Sequence, residues 1–235
     1  MRVMSYNIRS LRDDGQAVAR VITSVDPDVV CIQEAPRFLL WRRKCARLAA
    51  RTGLRIASGG RIAAANMIMV RPEVEVLAAD SVLFTKDPRL HQRGTAMARL
   101  RVDGHEVVVA GTHLDGYPEP RLRHLGELRN ALSAFRDGAA PVVLAGDMND
   151  DPGSAVWAEL ETVGSDSFAV AGAVAGAVAD AADGNTLNVQ HPTRRIDAIF
   201  AGAGLSVLAA RAIDSADVRV ASDHRPVVAE LEPAP

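Results

Sequence analysis

Short apolar, β-branched runs alternate with stretches of helical periodicity along the whole chain. Residues 2–6, 29–33, 67–70, 96–102, 106–112, 142–145, 196–200 and 227–231 read as strands. Residues 16–24, 38–51, 119–136 and 154–163 read as helices. The third is the clearest: Leu122, Leu125, Leu128, Leu132 and Phe135 recur at steps of three or four and predict one buried stripe. Asp103-Gly104 falls between two strand patterns and predicts a two-residue hairpin, so part of the sheet is antiparallel. A purely doubly wound parallel sheet is thereby disfavoured. A mixed α+β architecture, sheets flanked by helices, is expected.

At 235 residues and 48% hydrophobic composition the chain can bury a full core. It shows no linker and no repeat, so one domain over residues 1–235 is expected. The biased segment AVAGAVAGAVADAADG, residues 169–184, offers few groups to pack. It reads as a mobile surface excursion with a helical turn, a flexible lid being the alternative. A formal net charge of -2 supplies no global basic field, which weakens a bulk-electrostatic route to nucleic acid and leaves a local one open. Cys31 and Cys45 have no ligand spacing and read as ordinary thiols of a reduced compartment. The opening MRVMSYNIRS goes straight into a strand pattern with no apolar leader, and no stretch approaches membrane-spanning length. A soluble, cytoplasmic monomer without membrane insertion is expected.

Several polar residues share one placement, at or just after a predicted strand end: Asn7, Glu34, His113, Asp147 and Asn149, Asp197, and Asp223 with His224. Strands that end along one edge of a sheet gather such residues, however distant in sequence. Each also has a plainer reading. Asn7 fits a turn cap, Glu34 a solvated strand end, Asp147 a turn or helix N-cap, and His224 a satisfied core histidine. Asp151 in Asp-Pro-Gly belongs to a turn and is left out of the chemistry. Asp197 lies inside an apolar run, where an unpaired charge is costly, so it needs a partner such as a histidine.

Taken together the set is chemically coherent. Glu34 and Asp223 are hard oxygen ligands suited to Mg²⁺. Asp147 and Asn149 stand two apart; if that stretch is extended, both side chains point toward one water. An Asp197–His224 pair favours the protonated imidazole as a donor to a phosphate oxygen, and His113 could be a second donor. These are the needs of phosphoester hydrolysis, where positioning and charge neutralisation dominate.

The upstream QE, then THL, GDMN and SDHRPV, in that order over residues 4–226, resemble the endonuclease/exonuclease/phosphatase superfamily of deoxyribonuclease I, exonuclease III and sphingomyelinase type. The resemblance implies a four-layer sandwich, two mixed β-sheets packed face to face with helices on both outer faces. It also implies a Mg²⁺ or Mn²⁺ site at one edge. By position, Glu34 resembles the principal metal ligand with Asn7 and Asp223 beside it, and Asp147 the residue that orients or deprotonates the attacking water. Asn149 resembles a binder of the phosphate or nucleophile, His224 the catalytic histidine with Asp197 its orienting acid, and His113 a phosphate donor of the transition state. Arg93 matches a weaker position that meets the phosphate. Exonuclease III-like enzymes carry an acid where this chain has Arg9, which argues against abasic-site cleavage.

Residues 37–55 carry seven basic side chains and no acid. Phe38, Trp41, Cys45 and Leu48 fall on one helical face and Arg43, Arg47 and Arg51 on the other. A solvated face is the simpler reading, a phosphate-rich or nucleic-acid surface the other. The expectation is a Mg²⁺-dependent phosphoesterase acting on a phosphate ester, diester or nuclease-type cleavage favoured, with nucleic acid open as a substrate. A phosphomonoesterase on a sugar, inositol or lipid head-group phosphate is the first alternative. A catalytically inactive binding scaffold on the same fold is the second.

Overall fold

The structure is a computed structural model that describes residues 1–136, 138–173 and 184–234. The first half runs β1 (Arg2–Asn7), α1 (Gly15–Val25), β2 (Val29–Gln33), α2 (Trp41–Thr52), β3 (Arg55–Gly60), β4 (Asn66–Val70) and β5 (Glu75–Leu83). Then come β6 (Gly94–Val102), β7 (His105–His113), α3 (Pro118–Phe135), β8 (Val142–Asp147), α4 (Ala155–Leu160), β9 (Ser165–Asp166) and α5 (Ser167–Ala173). The chain closes with β10 (Asp197–Ala201), β11 (Leu205–Ala212), α6 (Ala216–Ala221) and β12 (Val227–Pro233).

Among the described residues the strands form two six-stranded sheets, ordered β11-β12-β1-β2-β4-β3 and β5-β6-β7-β8-β10-β9. Each sheet has one parallel pair, β1 with β2 and β7 with β8, and is otherwise antiparallel. Alternation along each strand sorts side chains into layers. Val3, Val29, Cys31 and Ile68 from the first sheet meet Ala98, Val109, Val143 and Ile199 from the second in a central cluster. The residues between them turn outward. Met4, Tyr6, Val30 and Ile32 pack under α1, α2 and α6, while Val108, Ala110, Leu144 and Phe200 pack under α3 and α4. Two sheets face to face with helices outside is the four-layer sandwich that the family resemblance implied.

The eight strands predicted from sequence are the eight interior strands of the two sheets. The four that escaped prediction, β3, β5, β9 and β11, are the four edges. An edge strand is solvated along one side, and β5 and β11 show mixed exposure with no continuous apolar run. The Asp103-Gly104 hairpin forms as expected: Val102 pairs with His105, and both turn residues are left-handed, at φ 49° and 83°.

Two helix readings need correction. Leu122 is 48% exposed, so the buried face of α3 runs through His124, Leu125, Leu128 and Leu132 instead. Phe38 is 68% exposed, because α2 begins only at Trp41 and Phe38 precedes it. On α2 itself Cys45 and Leu48 are buried while Arg43, Arg47 and Arg51 face solvent. Cys31 and Cys45 are free, and burial pushes their thiols up to about 12 and about 11, which leaves both inert. The biased segment is helical in α5; the excursion or lid expected of residues 174–183 lies outside the described residues. Among the described residues no helix is long and apolar enough to cross a membrane.

Gly146 has a strict steric role. A Cβ there would collide with the Thr112 carbonyl oxygen on β7, one residue before Asp147. Gly146→Ala should therefore lower stability by about 1–3 kcal/mol, the usual cost of overpacking, read as a fall in melting temperature. An unchanged melting temperature would show that β7 and β8 separate freely.

Candidate active site

Sheet register aligns the central polar residues. His113, the last residue of β7, lies opposite Asp147, the last of β8, and Asp147 lies opposite Asp197, the first of β10. All three side chains are buried. The facing sheet ends its parallel pair at the same rim, with Asn7 opposite Gln33 and Glu34 following at once. Asn7 spans the gap: its Nδ2 donates to Asp147 Oδ2 at 3.0 Å and to Glu34 Oε1 at 3.4 Å. Residues more than a hundred positions apart thus meet because both sheets present the same ends of their parallel strands.

Two opposed carboxylates in a buried row repel, and His224 stands between them. Its Nδ1 lies 2.8 Å from Asp197 Oδ2, and its Nε2 lies 3.9 Å from Asp147 Oδ2. Burial opposes a charge on the ring, but attraction and hydrogen bonding to Asp197, with Asp147 and Asp223 adding, outweigh it and push His224 up to about 10. His224 is an imidazolium at neutral pH. His113 is its opposite. Burial pushes its ring down to about 3, against the pull of Asp147 and helped by Arg93, His224 and Arg37, so it is neutral. His113 Nε2 sits 3.0 Å from Asn149 Nδ2 and 3.3 Å from Asp147 Oδ2. That nitrogen accepts from the amide when bare and donates to the carboxylate when protonated.

The stretch from Asp147 to Asn149 is not extended. Asn149 is left-handed at φ 53°, its backbone N–H donates to Asp147 Oδ1 at 3.0 Å, and its amide reaches Leu114 O and His113. The expected alignment of the two side chains on one water is replaced by a tight Asx turn. Glu34 is also left-handed, at φ 51°, a conformation that costs a glutamate energy. Its neighbours hold it there: Ser10 N–H donates to Glu34 O, and Ala35 N–H to Ala65 O, each at 2.8 Å.

Asp223 sits on the same loop as His224, with Oδ2 3.3 Å from Arg9 Nε. Arg93 is mostly buried beside the row, its Nε 3.6 Å from Asp115 Oδ2, and burial pushes its guanidinium down from its ordinary value. Three supporting residues escaped the sequence reading. Ser222 Oγ donates to Asn7 O at 2.7 Å and tethers the His224 loop to β1. Thr186 Oγ1 accepts from Asp197 N–H at 3.2 Å. Asp115 accepts from Tyr117 N–H at 3.1 Å and faces Arg93. Ser222 opens the SDHRPV motif and Asp115 follows THL, which was the only signal they gave; Thr186 had none.

The residues fit a divalent cation. Asp147 and Asp197 bring carboxylate oxygens within 4.8 Å of each other, and Asp197 Oδ1 is buried with no hydrogen-bond partner; His224, charged, is a donor there and not a ligand. Glu34 has no cationic side chain within 4.0 Å among the described residues and is held only by the Asn7 amide. Carboxylate and amide oxygens are hard donors of the kind Mg²⁺ and Mn²⁺ take.

The sandwich, and the rim where strand ends meet, define a phosphoesterase-type scaffold. The model of the endonuclease/exonuclease/phosphatase family matches residues 4–224, and the chain belongs to that family, whose members are divalent-metal-dependent phosphoric ester hydrolases. A Bacteroides vulgatus protein of the family is 20% identical over 99% of this chain and 98% of its own, with a TM-score of 0.81. The Bacteroides thetaiotaomicron mannosyl-6-phosphatase Bt3783 is 18% identical over 99% of both chains, at 0.79. Danio rerio TDP2, complexed with a single-strand DNA product, is 18% identical over 99% of this chain and 98% of its own, at 0.71. At these identities the likeness is one of fold. No curated protein matches the sequence.

Proposed function

We propose that this protein hydrolyses phosphate esters with a bound Mg²⁺ or Mn²⁺, by in-line attack of water on phosphorus, and that its substrates are phosphodiesters. The observation that carries the reading is the His113–Asp147–Asp197 row closed by a charged His224 and tied by Asn7 to an unpaired Glu34. Glu34 is the principal metal ligand, with Asn7 and Asp223 beside it. When bound, the cation neutralises the phosphate and lowers the barrier to attack.

The chain's own groups do the rest. Asp147 takes the proton of the attacking water as the bond from phosphorus to the opposite ester oxygen breaks, the leaving oxygen takes a proton from solvent, and the adjacent His224 imidazolium donates to a non-bridging phosphate oxygen. Asp197 fixes the ring by its Nδ1 and keeps Nε2–H aimed at the rim. Asn149 and Arg93 position the phosphate, and neutral His113 serves as a further hydrogen-bonding group beside Asp147. Burial of the whole row lets these groups act with little solvent reorganisation.

Turnover of bis-p-nitrophenyl phosphate with Mg²⁺, compared with p-nitrophenyl phosphate, tests the reading. Cleavage of the diester is expected. Cleavage of the monoester alone would make the protein a phosphomonoesterase, and turnover of no phosphate ester would leave only a binding scaffold.

A further inference from the structure

We infer that Arg12, Arg37 and His91 form a subsite for a second phosphoryl group, carried by the same substrate beside the ester that is cleaved. The inference deepens the phosphoesterase reading and rests on it.

A cavity of about 200 Å³ opens at the rim, lined by Glu34, Arg93 and His113 on the side of the catalytic row and by Arg12, Arg37 and His91 on the other. The Arg37 guanidinium Nη2 lies 3.4 Å from His91 Nδ1. Among the described residues neither Arg12 nor Arg37 has a carboxylate partner. Many arginines elsewhere on the surface are paired: Arg2, Arg20, Arg71, Arg101, Arg129 and Arg219 each reach a carboxylate at 2.6–3.1 Å. The unpaired cations of α2 are spread over an open face, whereas Arg12 and Arg37 converge on one concavity. The one carboxylate in the cavity, Glu34, belongs to the metal-binding side.

The three side chains come from separate loops; a backbone bond joins the first two, and the loop of His91 is closed by bonds across its own base. Arg12 follows a run of left-handed residues, Arg9 to Leu11, in which Ser10 N–H donates to Glu34 O at 2.8 Å; this ties its loop to that of Arg37. Around His91, Phe84 N–H donates to Arg93 O at 2.9 Å and the Gln92 side chain to Phe84 O at 2.6 Å. Two guanidinium forks and an imidazole that line one cavity without an anion of their own suit phosphoryl oxygens, which accept several charge-assisted bonds at once. The moiety that bears them is either a nucleotide chain, with its neighbouring phosphate, or a small molecule with two phosphoryl groups.

Arg12→Ala, Arg37→Ala and the double variant separate these. Steady-state kinetics are measured on a 5′-phosphorylated dinucleotide and a glycerophosphoinositol phosphate, each with one diester and a second phosphoryl group, and on bis-p-nitrophenyl phosphate, with one phosphoryl group. The double variant should raise KM at least about tenfold for one of the first two, the size of a lost charge-assisted bond. Its kcat and its kinetics on bis-p-nitrophenyl phosphate should stay within about twofold of wild type. The ester whose KM shifts identifies the source of the second phosphoryl group. Equal losses on all three substrates, or no shift on either two-phosphoryl ester, would overturn the subsite. Should wild type turn over no ester, the hydrolase reading fails by itself and calorimetric titration with inorganic pyrophosphate decides the subsite. Affinity at least about tenfold weaker in the double variant upholds it, and equal affinity overturns it.

Discussion

Asp147→Asn should cut turnover by about 10²–10³-fold, while the melting temperature of the metal-free protein holds or rises. The two effects separate because Asp147 is poorly placed for stability and well placed for chemistry. It sits opposite Asp197 in strand register, buried, so the pair is a like-charge contact that the fold must offset through His224 and Asn7. Asparagine keeps the shape and the oxygen that receives the Asn149 N–H, and the repulsion it relieves offsets the bond that Asn7 loses at the former Oδ2, but it cannot take a proton from water. Thermal melting and rate per folded molecule, measured on the same preparation, check this. A parallel fall in both would make Asp147 a structural residue.

Asp197→Asn should have the second-largest effect, a fall in kcat on the order of 10²-fold, together with a move of His224 toward the ordinary histidine range. Attraction and hydrogen bonding to Asp197 are the largest influences raising His224, acting against burial. In metal-free wild type, proton NMR of the imidazoles should find His224 charged through neutral pH and titrating near pH 10, and His113 neutral down to about pH 3. In Asp197→Asn the His224 titration should drop by units. A wild-type His224 that titrates between pH 6 and 7 would refute the pairing.

The same shifts set the sign of the pH dependence of stability. His224 has a folded value above its ordinary 6.5, so its contribution is full below that pH and is lost as pH rises toward about 10. His113 has a folded value below 6.5, so its contribution is full above that pH and is lost as pH falls toward about 3. Melting temperature should thus peak near neutral pH in the metal-free protein, and the alkaline decline should shrink in Asp197→Asn.

The interior of the fold was legible because interior strands are buried on both faces and their apolar runs are unbroken, as in 29–33 and 142–145. The edges were not, since β5 and β11 owe their place to pairing with a neighbour and not to their own pattern. Leu122 and Phe38 misled for a related reason: spacing identifies a helical face without saying where the helix begins or which flank of the stripe meets the sheet. At the rim, strand-end position was enough to collect Asn7, Glu34, His113, Asp147, Asp197 and His224. It was silent on conformation, so the left-handed turn that carries Asn149 could not be read from it, nor could the Ser222 tether across 215 positions.

The central claim is that a divalent cation is the counter-charge of this rim and that Glu34 holds it. Calorimetric titration of metal-free wild type and Glu34→Gln with Mn²⁺ tests it most directly, since it needs no substrate. Wild type should bind with measurable heat and the variant at least about tenfold more weakly, as expected when an anionic ligand is lost. Equal affinity in the two proteins, or no binding by either, would contradict it.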